Sequence, residues 1–188
     1  MENDISYIVM KYISGHSMRE ILGQQMDLGK ACRFIDQIAG ALDHAHDNGI
    51  IHRDIKSANL LVEGEWVLIA DFGIAKIVEG STALTSAGET MGTPAYMSPE
   101  QASGKPVKHY TDIYSLGIVL YEMLTGQVPF KGETPYGVMF KHVNDPLPLP
   151  RIHRPDLPEC AERVILKALA KVPEHRYERA GQFAEALR

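Results

Sequence analysis

The chain predicts an α+β protein that is mainly α, and three observations carry that prediction. An opening run, Ile5–Ile13, is rich in β-branched and aromatic residues and reads as a strand. Two short apolar runs, Leu60-Leu61-Val62 and Val67-Leu68-Ile69-Ala70, flank Glu63-Gly64-Glu65-Trp66 and read as a β-hairpin with a glycine turn. After the hairpin, the apolar residues fall at helical spacing to the end of the chain.

In chain order, Gly15 closes the opening strand and a short helix follows over Met18–Leu22. Cys32–His46 sets Ile35, Ile38, Ala39, Leu42 and Ala45 on one helical face, and Asn48-Gly49 supplies its stop. Past the hairpin, Lys76–Met91 has few large apolar residues and many hydroxyls and glycines, the composition of a long functional loop. Thr111-Asp112 is expected to cap a buried helix ending at Thr125-Gly126. Its apolar stretch, Ile113–Leu124, is too short to span a bilayer and contains Glu122. Further helices are expected over Thr134–Val143, Glu159–Lys171 and Arg179–Leu187, joined by proline-containing connections.

Composition narrows the function classes. A chain of 188 residues suits one domain, and 45% hydrophobic with 23% charged residues is ordinary for a globular protein. A net charge of -5 argues against a nucleic-acid footprint, which would be basic and clustered. Cys32 and Cys160 lie far apart in helical patterns, so buried thiols are expected, not a disulfide framework. The histidines show no metal-ligating spacing, and His44 and His46, two apart on a helix, point to different faces. Met1 is followed by acidic and polar residues, so no secretory leader is expected; internal repeats and low-complexity tracts are absent from the sequence.

The chemistry is concentrated in Ile50–Gly73, IIHRDIKSANLLVEGEWVLIADFG. A hairpin brings its open ends together, so Asn59, before the first strand, and Asp71, after the second, should lie near each other. Asp54 packs back to the same end. Oxygen ligands converging there suit Mg²⁺, which takes few protein oxygens and fills its remaining positions with water and phosphate. Any one of these residues alone reads as a turn former. The full string resembles the catalytic and metal loops of protein kinases, H-R-D-x-x-x-x-N followed by D-F-G, with His52-Arg53-Asp54, Asn59 and Asp71-Phe72-Gly73 in place. Gly92–Glu100, GTPAYMSPE, resembles the family's A-P-E segment with Ser98 for its alanine.

The resemblance implies a kinase-like fold of which this chain carries the hinge strand (1–13) and the C-terminal helical lobe (14–188), without the N-terminal lobe. It implies ATP and Mg²⁺ as cofactors and protein Ser/Thr hydroxyls as acceptors. Asp54 would accept or orient the substrate hydroxyl's proton, Lys56 would sit on the transferring phosphate, and Thr93 would bond both. Lys56 is the Ser/Thr pattern; the runs typical of tyrosine kinases are absent. Asn59 and Asp71 are the implied Mg²⁺ ligands. Met10 falls at the gatekeeper, the backbone of Lys11 and Ile13 would face adenine, and Met18, Leu61, Val119 and Met123 would pack beneath it, as plain core residues would too. The family usually has an acidic residue where Lys11 stands. Structural roles are implied for His52 and Phe72 (a stacked spine), Asp112 (holding the catalytic-loop backbone) and the pair Glu100 and Arg176. Arg53 is implied to receive a phosphorylated loop residue, with Thr85 first among Ser81, Thr82, Thr85, Ser86 and Thr90.

No G-x-G and no V-A-I-K-like run occurs in the sequence. The chain is therefore read as a kinase fragment inactive alone, with an isolated lobe serving as a non-catalytic protein-binding module as the alternative. A silent nucleotide binder fits less well, because Asp54, Asn59 and Asp71 are intact. An exposed apolar surface is expected around Met10, Met18 and Leu61, for the missing lobe or another partner. GTPAYMSPEQ and DFGIAK look most like bacterial receptor-type Ser/Thr kinases, which implies the cytoplasm or the cytoplasmic face of a membrane.

Overall fold

The structure, a computed structural model, describes residues 12–72 and 94–188. Met10, Lys11, Gly73, Thr85, Thr93, nearly all of the expected opening strand and the loop 76–91 lie outside the described residues. Tyr12 and Ile13 are not in a strand.

Strands β1 (His16–Ser17), β2 (Leu60–Glu63) and β3 (Trp66–Ile69) form one antiparallel sheet in that order. The hairpin register pairs Leu60 with Ile69 and Glu63 with Trp66, and Gly64 takes φ +63, which a side chain would resist at this tight turn. Strand β1, which sequence reading missed, pairs Ser17 with Leu61. Gly15 permits that approach, since a Cβ there would run into the Val62 carbonyl oxygen. Alternation along β2 and β3 buries Leu60 and Val62 and turns Leu61, Leu68 and Trp66 to the other face, where Trp66 is 71% exposed.

Eight helices of four or more residues are described: α1 (Met18–Ile21), α2 (Leu28–Asp47), α3 (Pro99–Ala102), α4 (Tyr110–Thr125), α5 (Pro135–Asn144), α6 (Pro150–His153), α7 (Glu159–Ala168) and α8 (Ala180–Leu187). Helix α2 starts one turn before the expected Cys32, because the Asp27 side chain accepts from the Lys30 N–H and caps it. Helix α4 is the axis of the core, with its side chains from Thr111 to Tyr121 all buried. Phe34, Ile35, Ile38 and Leu42 of α2, Val164 and Ile165 of α7, and Phe183 and Leu187 of α8 belong to the same core. Burying each such side chain contributes roughly 1.5–3 kcal/mol, so the helical body holds itself together through packing.

Several expectations need correcting. Thr111 and Asp112 do not cap α4; its N-cap is His109, and both residues lie in the first turn with their side chains committed elsewhere. Helix α7 stops at Ala168, not Lys171, because Arg176 draws off the Ala170 and Lys171 carbonyls as acceptors at 2.8 and 3.2 Å. The cysteines are not buried thiols: Cys32 is half-buried, with burial pushing its thiol pKa up, and Cys160 is exposed. Met18 is not part of an exposed surface, since none of it reaches solvent. The short helices α3 and α6 fall where the sequence showed mostly punctuation. Among the described residues, no helix is long and apolar enough to cross a membrane.

Candidate active site

The site grows from the loop between α2 and β2. Asp112, wholly buried in the first turn of α4, accepts from the Arg53 N–H on Oδ1 at 2.8 Å. Its Oδ2 accepts from the His52 N–H at 2.9 Å and meets His46 Nε2 at 2.7 Å. A helix N-terminus favours a carboxylate, and these donors replace the water it gives up. They also hold the loop in an unfavourable shape. Arg53 has φ +68, a left-handed conformation that costs a bulky residue roughly 1–3 kcal/mol and persists only where surroundings enforce it.

His52 is the second fixed point. Its Nδ1 accepts from the Asp54 N–H at 3.2 Å, which leaves Nε2 to carry the proton and donate to the Ala70 carbonyl at 3.0 Å. The ring lies 4.8 Å from that of Phe72, centroid to centroid. This histidine therefore joins the loop to the end of β3.

Beyond these anchors the loop presents polar atoms together. Lys56 Nζ donates to Asp54 Oδ2 at 2.7 Å, and Asn59 Nδ2 donates to the same oxygen at 3.2 Å and to the Asp54 carbonyl at 2.9 Å. A main-chain carbonyl can only accept, so the amide nitrogen of Asn59 faces Asp54 and Oδ1 is left as the acceptor. The Asp54 side chain is 34% exposed. Across the hairpin mouth the Ala70 N–H donates to the Asn59 carbonyl at 2.8 Å, and the next residue, Asp71, is exposed with φ +56. Asn59 Oδ1 and the Asp71 carboxylate are hard oxygen donors of the kind Mg²⁺ selects. Among the described residues, no group of three or more His, Cys, Asp and Glu forms a metal cage.

A second buried acid fastens the neighbouring segment. Arg176 Nη1 and Nη2 donate to Glu100 Oε1 and Oε2, both at 2.8 Å, and Thr111 Oγ1 donates to Oε1 at 2.7 Å. Burial opposes ionisation of Glu100, but the guanidinium and the hydroxyl overcome it and hold the carboxyl below its usual pKa. Glu122 on α4 is the opposite case. Burial raises its pKa, and hydrogen bonding from Tyr96 Oη at 2.6 Å offsets that only in part. Tyr96 Oη also meets Ser57 Oγ at 2.7 Å, tying the loop to the segment before α3.

The expected residues thus separate by position. His52, Asp54, Lys56, Asn59, Asp71 and Phe72 gather at the hairpin mouth, Asp112 lies behind them, and Glu100 and Arg176 form the second anchor. The Arg53 side chain is exposed and has no ion-pair partner among the described residues. Leu61 is half-buried on the sheet's outer face, whereas Met18, Val119 and Met123 are fully buried in the core and present no surface for a ligand to touch. Ile13 is half-buried outside any strand. Sequence reading missed His46, Tyr96, Ser57 and Gln101. His46 and Asp112 are 66 residues apart, and no local pattern announces such a pair.

Comparison with known proteins places this geometry in context. The protein-family model described as Protein kinase domain matches residues 1–186. A probable serine/threonine-protein kinase of Clostridium acetobutylicum is 40% identical over 99% of this chain and 29% of its own length. The serine/threonine-protein kinase PrkC of Bacillus subtilis is 42% identical over 95% of this chain and 28% of its own. The serine/threonine-protein kinase PknB of Mycobacterium tuberculosis is 43% identical over 97% and 30%. The chain therefore spans under a third of the length of these relatives.

Proposed function

The chain belongs to the protein kinase domain family and is by family a protein-serine/threonine kinase; from that premise we propose that its loop 52–59 transfers the γ-phosphate of ATP to Ser/Thr hydroxyls of proteins. The observation that carries the proposal is the cluster in which Asp54 Oδ2 receives both Lys56 Nζ and Asn59 Nδ2, beside the hairpin mouth. Asp54 is half-exposed and reachable by a hydroxyl whose proton it accepts as that oxygen attacks phosphorus. Lys56 moves from Asp54 onto the transferring phosphate and offsets its charge. Asn59 Oδ1 and Asp71 would hold Mg²⁺, which would supply neutralisation of the phosphate charge. His52, Arg53 and Asp112 hold the loop in place, so that positioning and electrostatics supply the rate. Thr93 bonds Asp54 and Lys56, Met10 and the backbone of Lys11 and Ile13 border the adenine, and Leu61 lies beneath it. Phosphorylated Thr85 pairs with the exposed Arg53 guanidinium.

These 188 residues alone are inactive in this reading, because a lysine for the α/β-phosphates and a glycine-rich cover are not among them. The outer sheet face of Leu61, Leu68 and Trp66 seats the N-terminal lobe, or another protein if the chain works as a non-catalytic binding module in the cytoplasm. The test assays the purified chain with Mg-ATP and a basic protein substrate, alone and fused in frame to the N-terminal lobe of a relative. The chain alone should show no turnover. The fusion should phosphorylate the substrate, and Asp54→Asn should lower that rate about a hundredfold or more. An inactive, well-folded fusion would defeat the kinase reading; Asp54-dependent turnover by the chain alone would defeat only the claim that it is inactive.

A further inference from the structure

Gln101, two residues beyond Pro99, forms contacts that its place in a short surface helix does not require. Its Oε1 accepts from the Ser98 N–H at 3.1 Å while Ser98 Oγ accepts from the Gln101 N–H at 3.3 Å, a reciprocal cap on α3. The capping uses only the oxygen of the side-chain amide. The nitrogen crosses 48 residues of sequence and donates to the Arg53 carbonyl at 2.8 Å.

Arg53 is the residue whose left-handed φ of +68 needs enforcement. Asp112 secures its N–H at 2.8 Å, and Gln101 secures its C=O at the same length. Arg53 is exposed, so neither burial nor side-chain packing can supply that restraint. The two peptide units that flank the Arg53 Cα are thus each held, the one before it by Asp112 of α4 and the one leading into Asp54 by Gln101 of α3. Helix α3 is in turn fixed by Glu100, whose carboxylate is bound to Arg176.

We infer that Gln101 is a positioning residue, which couples the cap of α3 to the strained backbone of Arg53 and so sets the direction of the Asp54 side chain. A glutamate in its place would keep an oxygen for the Ser98 N–H, but would lose the donor and set a carboxylate against the Arg53 carbonyl. An asparagine is too short to serve both ends. The inference deepens the kinase reading and rests on it for the kinetic consequence, whereas its structural content stands on the loop geometry.

The experiment compares wild type, Gln101→Glu and Gln101→Ala in the 188-residue chain, by thermal unfolding and by amide hydrogen exchange resolved at Arg53, Asp54 and α4. Gln101→Glu should leave Tm unchanged and speed exchange at Arg53 and Asp54 about fivefold, with α4 unaffected. Gln101→Ala should speed the loop equally and lower Tm as well, since it also removes the cap. In the active fusion, Gln101→Glu should lower kcat about fivefold with the KM for ATP unchanged. Unchanged loop exchange in Gln101→Glu overturns the inference, as does acceleration spread evenly through α4, which marks general loosening. If the wild-type fusion is inactive, the function reading fails while the exchange data still decide the role of Gln101.

Discussion

Two adjacent residues at the start of α4 serve two different anchors. Asp112 restrains the loop 52–54 through main-chain N–H groups, with His46 as its one side-chain partner among the described residues. Thr111 instead supports Glu100, whose main partner is a guanidinium 76 residues away. The first anchor depends on few side chains: almost any substitution at residue 52 or 53 leaves the N–H groups Asp112 needs. The second can be broken from either end. A loop that must keep its backbone path is thus held by peptide groups, while a segment that must only stay attached is held by an ion pair.

The largest expected effect is on the ion pair. The Arg176 side chain is 0% exposed and also donates to the carbonyls of Tyr110, Ala170 and Lys171. Arg176→Met should therefore cost about 3–5 kcal/mol in urea unfolding, because it strands a buried carboxylate and its other acceptors. Glu100→Gln should cost less, since the guanidinium keeps those carbonyls. The same pair governs the response to acid. The folded-state pKa of Glu100 lies below its ordinary 4.5, so its contribution is present above the unfolded pKa and is lost as pH falls through the folded one. Wild type should lose stability over that acid window more steeply than Glu100→Gln, and parallel acid limbs would show that the shift is not used.

At the other anchor, Asp112→Asn should cost about 1.5–3 kcal/mol, because one charged acceptor becomes a donor facing donors. Its mark should be local, with the exchange of the His52 and Arg53 amides rising ahead of those in α2. If Asp112→Asn loosens α7 and α8 as much as the loop, the two anchors are not separate devices. A smaller effect, about 1 kcal/mol, is expected for Ser98→Ala, which removes a cap and leaves both acids paired. The smallest is for Arg163→Ala. Its i,i+4 pair with Glu159 is solvent-exposed and touches neither anchor, so unfolding should move by no more than about 0.5 kcal/mol.

Sequence legibility followed the range of the interactions. The hairpin and helices α2, α4, α5, α7 and α8 could be read because period and punctuation are local. Their ends were less clear: α2 opens at a cap beside Gly29, and α7 is cut short by Arg176, neither of which the apolar pattern records. The cluster of Asp54, Lys56 and Asn59 lies within six residues of chain, so spacing conveyed it. His46 to Asp112, Gln101 to Arg53 and Tyr96 to Glu122 could not be read that way. Each joins residues whose local sequences carry no trace of the partner, and only the packing of the tertiary fold brings them together. Thr111 and Asp112 show the cost of a purely local reading: a polar pair at a helix start looks like a cap until the tertiary partners are known.

The outer face of the hairpin carries the chain's single tryptophan, Trp66, at 71% exposure. Its indole is already hydrated in the native state, so unfolding the helical body changes its surroundings little. Intrinsic tryptophan fluorescence will therefore be a poor reporter of unfolding in this chain, and the denaturation experiments call for circular dichroism. The same emission is well placed for another purpose. Anything that lies across Leu61 and Leu68 must dehydrate the neighbouring indole and shift its spectrum to the blue, so the unlabelled protein carries an optical sensor for whatever covers that face.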